Sequence, residues 1–455
     1  MRGYIVLIAA LLFGVAFAVK LMCSGITLQL MPPALTNAIE GVAHVAAGDE
    51  AFQRGDYAKA EEEYLAAFKD GDKLGFLTGG PGHTLHKLGT VYAAWGKYAE
   101  AEAHFEKALN IREKARVPNN PEVAETLTEF GRLRFSQGKY ADAEALFQRA
   151  LKIREKGWGA RGFEEIPVLV GLASVKYTLG KYTEAENLLG RAADILEQAL
   201  EGDDPQWAGT LFGQARLHQE RGNYAEAERL FRRELKITER GFGAEHPDTA
   251  TTLYWLARLL VTQGKFTEAE PLLERALAIR TKALGAEHPS VGEALRALGD
   301  LRRAQGDYAK AEAQLKEALV ISEKTLGPDH PAVAEAFCGL GELSRARREF
   351  AEADSFLKRA LAIQEKVLGS EHPEVARTLR SLALLYAAQE NYQESEAMLH
   401  RALSIQEKAL GPDHPELAQS LENRAALLRK TDRAAEAAQL DARVKAIRAT
   451  NSKQK

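Results

Sequence analysis

Cysteine is scarce in this chain: Cys23 and Cys338 are the two among 455 residues. One pair cannot build a disulfide framework, and no CxxC occurs to hold zinc or run dithiol chemistry. An excess of either charge is also missing. Sixty Lys and Arg stand against 64 Asp and Glu, a net charge of −4, which excludes the clustered positive field that a nucleic-acid binder needs. Signatures of catalysis are missing too, with no HExxH and no GxSxG. Residues 75–84, GFLTGGPGHT, place Gly75 and Gly80 at P-loop spacing, but Pro81 stands where lysine is required and no strand precedes it. The segment reads as a loop between repeats. His83 and His86 can share a helix face, yet no third and fourth ligand lies near them in sequence. No catalytic residue, cofactor or metal is therefore expected. A chain that is 45% hydrophobic and 27% charged has enough apolar material to fold.

An apolar run opens the chain. Arg2 precedes an uncharged stretch from Gly3 to Val19, with Ile5 to Val15 as its apolar heart and Ala16-Phe17-Ala18 after it. A basic start, an apolar middle and an A-x-A site make residues 1–19 a secretory signal peptide. A run of 17 residues is also at the lower edge of what spans a ~30 Å hydrocarbon core, so an uncleaved membrane anchor stays open. Met22 stands before Cys23 where a bacterial lipoprotein has a small residue, so Cys23 reads as an incidental thiol. Residues 20–36, with Pro32-Pro33, read as a linker. The rest of the chain is expected to be exported, periplasmic or extracellular, or attached to a membrane through this segment alone.

A repeat organises everything that follows. GKYAEAE at 96 recurs at steps of 42 residues as GKYADAE at 138, GKYTEAE at 180, GNYAEAE at 222, GKFTEAE at 264, GDYAKAE at 306, REFAEAD at 348 and ENYQESE at 390. A first copy, GDYAKAE, sits at 55 and a degraded last one, DRAAEAA, at 432. Each unit contains two apolar patterns of helical period, as in Leu379, Leu382, Ala383 and Tyr386 before the turn and Ala143, Leu146, Phe147, Ala150 and Leu151 after it. The unit is a helical hairpin. Between units an xxP loop recurs. Proline suits the first helical position, which places Asn120, Asp204, His246, His288, His330, His372 and His414 at N-caps. Histidines in successive repeats should stand roughly 8–10 Å apart, too far for one zinc ion to bridge. Capping, with a pH-sensitive edge as its functional variant, is the expected role.

These units resemble tetratricopeptide repeats, in the 42-residue form with DHP loops and RALAIxEK helix ends found in kinesin light chains and their bacterial relatives. The resemblance covers residues 37–449 and leaves 450–455 as a polar tail. It implies an all-α, right-handed superhelical solenoid of about ten stacked hairpins. The family's small residue in the first helix is matched by Gly48, Gly89, Gly299, Gly341 and Ala383, among others. The small residue opening the second helix is matched by Ala101, Ala269 and Ala311, and the large apolar residue four further on by Tyr64, Phe105, Phe147, Leu315 and Leu357. Three departures stand out: Glu234 in a slot that is otherwise alanine, Glu164-Glu165-Ile166-Pro167 in place of an xxP loop, and Asp441 in the last large-apolar slot. Asp441 reads as a polar cap on the final helix.

In this family the first helices line a concave face where peptides bind. Carrying that face over gives Arg132, Phe135, Tyr177, Phe212, Arg216, Tyr254, Arg258, Arg296, Arg303, Arg345, Arg377 and Arg380, with Cys338 on the same face. Acidic positions there include Glu125, Glu220, Glu293, Asp300, Glu335 and Glu342. Arginines and aromatics together offer carboxylate forks and stacking, which suits a protein or peptide partner carrying acidic and aromatic residues. The competing expectation is that these arginines pair with the neighbouring acids. The function implied is a monomeric protein–protein interaction scaffold. A chaperone-like holder of exported polypeptides is the alternative, and an enzyme would need an unrecognised site around 71–83 or 157–170.

Overall fold

A computed structural model of the chain describes residues 33–70, 80–115, 117, 119–158, 162–199, 204–412 and 414–452. The expected leader 1–19, Cys23, most of the linker and residues 453–455 lie outside the described residues. Those described contain twenty α-helices, arranged in sequence as ten helix–turn–helix units. The chain divides into two compact units at Leu133/Arg134. In the first, α1 (Pro33–Gln53) pairs with α2 (Tyr57–Asp70), and α3 (Gly80–Ala94) with α4 (Tyr98–Lys114). The division falls inside α5 (Pro121–Ser136). The second unit continues with α6 (Tyr140–Trp158), α7 (Ile166–Thr178), α8 (Tyr182–Ala199), α9 (Ala208–Glu220) and α10 (Tyr224–Gly241). Next come α11 (Pro247–Thr262), α12 (Phe266–Leu284), α13 (Pro289–Gln305), α14 (Tyr308–Leu326) and α15 (Pro331–Ala346). It ends with α16 (Phe350–Leu368), α17 (Pro373–Ala388), α18 (Tyr392–Leu410), α19 (Pro415–Lys430) and α20 (Ala434–Ser452).

Two boundaries differ from the sequence reading. Residues 33–36 form the first turn of α1 rather than linker, since Pro33 has the backbone angle a helix start wants. Residues 450–452 extend α20 instead of opening a tail. The irregular stretch before Pro167 is a 3₁₀ turn, Phe163–Glu165, that runs straight into α7. Its Glu165 is buried and ion-paired with Arg191.

The N-caps form as expected. Asn120 and Asp204 accept the backbone N–H two residues on, each at 2.9 Å. The Nδ1 atoms of His246 and His288 do the same at 3.1 Å.

Packing explains the small–large pattern. Leu315 is fully buried. A Cβ added to Gly299, in the same hairpin, would stand 2.7 Å from it, and so would one added to Gly339 in the next. One leucine thus closes its own hairpin and wedges against the following one. Within the first unit Tyr64 occupies the notch at Gly48 and Phe105 the notch at Gly89. The apolar core runs through the second unit as a chain of clusters, the largest spanning Ile166 to Leu301.

Glu234 breaks this pattern. It is 5% exposed, its Oε1 accepts from Thr252 Oγ1 at 2.9 Å, and its Oε2 has no hydrogen-bond partner. Burial pushes its carboxyl up to about 8. At the far end, Asp441 is half exposed and pairs with Arg429, as a polar outer face on α20 requires.

Two outcomes follow. Gly299→Ala should lower stability by about 1–3 kcal/mol in urea unfolding, because Leu315 cannot move away from both hairpins. Native Glu234 holds its proton between an unfolded value near 4.5 and about 8, so it costs stability increasingly as pH rises through that window. Glu234→Ala should therefore raise the melting temperature more at pH 8 than at pH 5.

Candidate functional site

The 42-residue period repeats one helix face from hairpin to hairpin. Tyr254, Arg296, Cys338 and Arg380 occupy one register position on α11, α13, α15 and α17. Arg216, Arg258, Asp300 and Glu342 occupy the next turn, beginning on α9. Within the second unit these first helices curve until α17 and α19 face α7 and α9. Arg377 shows how far: its Nη2 meets Glu220 Oε2 at 3.0 Å across 157 residues of sequence. The enclosed space is a cavity of about 500 Å³.

Most of its charges are already matched. The Arg377 guanidinium also meets Glu416 at 2.7 Å and pairs with Glu374. Arg296 meets Glu335 at 2.7 Å, Asp300 at 3.0 Å and the Tyr254 hydroxyl at 3.1 Å. Burial pushes the Glu335 and Glu416 carboxyls up, but the guanidiniums of Arg296 and Arg377 override it and hold both below the usual carboxylate range. Burial pushes Arg380 the other way, below the usual guanidinium value.

Three arginines differ. Arg216, Arg258 and Arg380 line the cavity with no carboxylate at ion-pair distance among the described residues. Arg216 lies between two rings, 4.0 Å over Tyr177 and 4.1 Å over Trp255. Arg258 lies 4.7 Å over the same Trp255 and 3.4 Å from the Tyr254 hydroxyl. Stacking on ring faces partly replaces lost water around a guanidinium. Arg380 keeps a buried Nη1 without a partner.

The sequence-derived groove residues therefore separate. Phe135, Tyr177, Arg216, Tyr254, Arg258, Arg296, Arg377 and Arg380 line the cavity. Arg303 lies in an adjoining hollow with Arg380 and Asn423. Phe212 packs behind the wall, edge-on to Phe231 and Trp255. Arg345 turns to Glu342 at 2.7 Å. Arg132 belongs to the first unit, where it is exposed and meets Glu129 at 3.3 Å. Nor is the cavity a basic trough. Seven carboxylates and five arginines line it, with Arg280 and Arg345 pairing two of the carboxylates from behind.

Sequence reasoning missed Trp255, although it adjoins Tyr254. It also missed Tyr140, Tyr182 and Tyr224, the tyrosines of the GKY and GNY turns, which line the cavity once the helices curve. Their fixed spacing was the available signal, but it read as turn chemistry. Among the described residues no three His, Cys, Asp or Glu side chains converge as a metal site would need. No helix among them is long and apolar enough to cross a membrane.

Stacked helical hairpins with an inward-facing cavity define a helical-repeat scaffold. The chain belongs to the tetratricopeptide repeat family, whose model matches residues 81–156 and, in overlapping segments, 164–449. Its fold is similar to that of a Rap protein complexed with Competence and Sporulation Factor, at 15% identity over 82% of this chain and 99% of the other, with a TM-score of 0.61. It is also similar to the kinesin light chain-like repeats of Podosopora anserina, at 31% identity over 45% of this chain and 96% of the other, TM-score 0.35. A third similar structure is BtubC (BKLC) of P. vanneervenii, at 24% identity over 51% and 91% of the two chains, TM-score 0.38. No protein of curated function matches the chain.

Arg377→Ala should leave Glu220, Glu374 and Glu416 facing one another. Losing one partner of this half-buried charge cluster should cost about 1–3 kcal/mol. The loss should be largest at pH 7 in thermal unfolding and shrink as pH falls, because Arg377 holds the Glu416 carboxyl below its usual range and that stabilisation disappears once Glu416 is protonated.

Proposed function

We propose that this protein is a non-enzymatic interaction scaffold whose cavity in the second unit receives a short partner segment bearing a carboxylate and an aromatic or apolar group. The observation that carries this is the arrangement of Arg216 and Arg258 about Trp255. Both guanidiniums stand in the cavity without a carboxylate, while neighbouring Arg296 and Arg377 are fully matched. An incoming carboxylate would supply the missing counter-charge, and the tyrosines Tyr140, Tyr182 and Tyr224 that line the same cavity would hold the apolar part. A space of about 500 Å³ suits a chain end or a few residues rather than a folded domain. The Rap protein complexed with Competence and Sporulation Factor has the same kind of fold, which is compatible with this use. A chaperone-like holder would need a broad apolar surface, and the cavity is mostly polar and charged.

The leader expected at residues 1–19 would put this scaffold outside the cytoplasm, periplasmic or extracellular, or attach it to a membrane. The test is capture of partners from the native envelope fraction by wild type and by Arg216→Ala/Arg258→Ala, followed by titration of the captured segment as a peptide. Loss of one or two charge-assisted contacts worth about 1.5–3 kcal/mol each should weaken binding by at least tenfold. Equal capture by both proteins would remove the cavity from the reading. In the same preparation, an N-terminal mass beginning at Val19 would mark a cleaved leader and an intact Met1 an anchor.

A further inference from the structure

One contact made three times joins distant turns of the second unit, beside the Arg377–Glu220 pair. His330, His372 and His414, each ahead of a first-helix proline, rest on the last turn of the first helix five repeats earlier. His330 Nε2 donates to the Ser136 carbonyl at 2.9 Å. His372 donates to the Thr178 carbonyl and His414 to that of Glu220, at the same sequence separation of 194 residues. Backbone packs alongside. Gly138, with φ at +72°, sits so near the loop that an added Cβ would meet Pro331 at 3.2 Å, and Gly180 stands similarly against Pro373.

Hydrogen bonding fixes the protonation state of these rings. Each Nδ1 accepts the backbone N–H two residues on, at 3.1 Å in His330 and His372 and 3.2 Å in His414. An accepting nitrogen carries no proton, so the single ring proton is on Nε2, where the carbonyl is. Both nitrogens are committed and the ring is neutral. A second proton would have to enter at Nδ1, against the N–H it caps, and would charge a ring that is buried in His372 and His414 and half-buried in His330.

We propose that His330, His372 and His414 form a proton-sensitive clasp that keeps the second unit wound around its cavity, and that protonating them lets the turns part. That parting admits a partner rests on the cavity reading above; the clasp itself does not.

The charged groups facing each ring are few. Glu293 and Glu335 face His330, while Glu220, Glu374 and Arg377 face His372. Glu220, Glu416 and Arg377 face His414. The carboxylates favour imidazolium, but burial outweighs them and holds all three rings below their ordinary value of 6.5. Parted turns expose the rings to water and restore that value. The opened form therefore binds protons more tightly, and the closed form loses ground as pH falls through 6.5 and below. Three rings acting on one closure make the transition steeper than a single titration.

The experiment is small-angle X-ray scattering of the full chain from pH 7.5 to 5.0, with helicity followed by circular dichroism. The comparison is His330→Asn/His372→Asn/His414→Asn. Asparagine keeps the cap, as Asn120 does here, but is too short to place a donor where Nε2 stands. Wild type should expand with unchanged helicity, at a midpoint below pH 6.5 and with a slope above one proton. The triple variant should already be expanded at pH 7.5 and show no step. If it loses helicity, His372→Asn alone serves, with its midpoint expected to move to higher pH. A wild-type radius of gyration that stays flat to pH 5.0 overturns the clasp. So does a helical variant that keeps both the wild-type radius and the step. Partner binding plays no part in the readout, so failure here is separate from failure of the cavity reading.

Discussion

A helical hairpin of some forty residues cannot bury its own apolar face, and the rest of this structure depends on that. The face must be covered by the next hairpin, so the unit repeats and the contact repeats with it. Leu315 shows the geometry. It presses on Gly299 within its hairpin and on Gly339 in the following one, and neither position has room for a side chain. Small residues at these crossings let helix axes approach closely, and one large residue then fills two gaps. Where the pattern is broken, the protein carries a visible cost. Glu234 sits in an alanine slot and keeps its proton to about 8 because water cannot reach it.

Repetition of one contact also sets curvature, and in the second unit curvature produces the cavity. First helices that are distant in sequence face one another there, and charged side chains that would be solvated on an open surface lose their water. Burying a charge is tolerated only with a partner. Arg377 meets Glu220, Glu374 and Glu416, and Arg296 meets Glu335 and Asp300. Against this background Arg216 and Arg258, held by Trp255 and Tyr177, stand out as guanidiniums without a carboxylate, and the proposed partner segment would meet them there. Three of the capping histidines, His330, His372 and His414, serve twice, since their second nitrogen joins distant turns of the second unit.

Much of this was legible in advance. The 42-residue period defined the hairpins, the small and large slots and the seven N-caps, all of which depend on residues close in sequence. Eight of the twelve groove positions do line the cavity, because a periodic face carries over from repeat to repeat. The four others fail for local reasons. Phe212 finds a better place against Phe231, Arg345 finds Glu342, Arg303 turns into the adjoining hollow, and Arg132 lies in the first unit.

Local pattern determined the helices, their ends and the faces they bury, since capping, period and close packing act over a few residues. Only the tertiary structure decided which charges meet. Arg377 and Glu220 are 157 residues apart, and each clasp histidine is 194 residues from its carbonyl. Those distances reflect the accumulated rotation of several hairpins. A small angle at each interface, summed over five repeats, places a histidine on a carbonyl or leaves it in water. No single repeat of the sequence contains that sum.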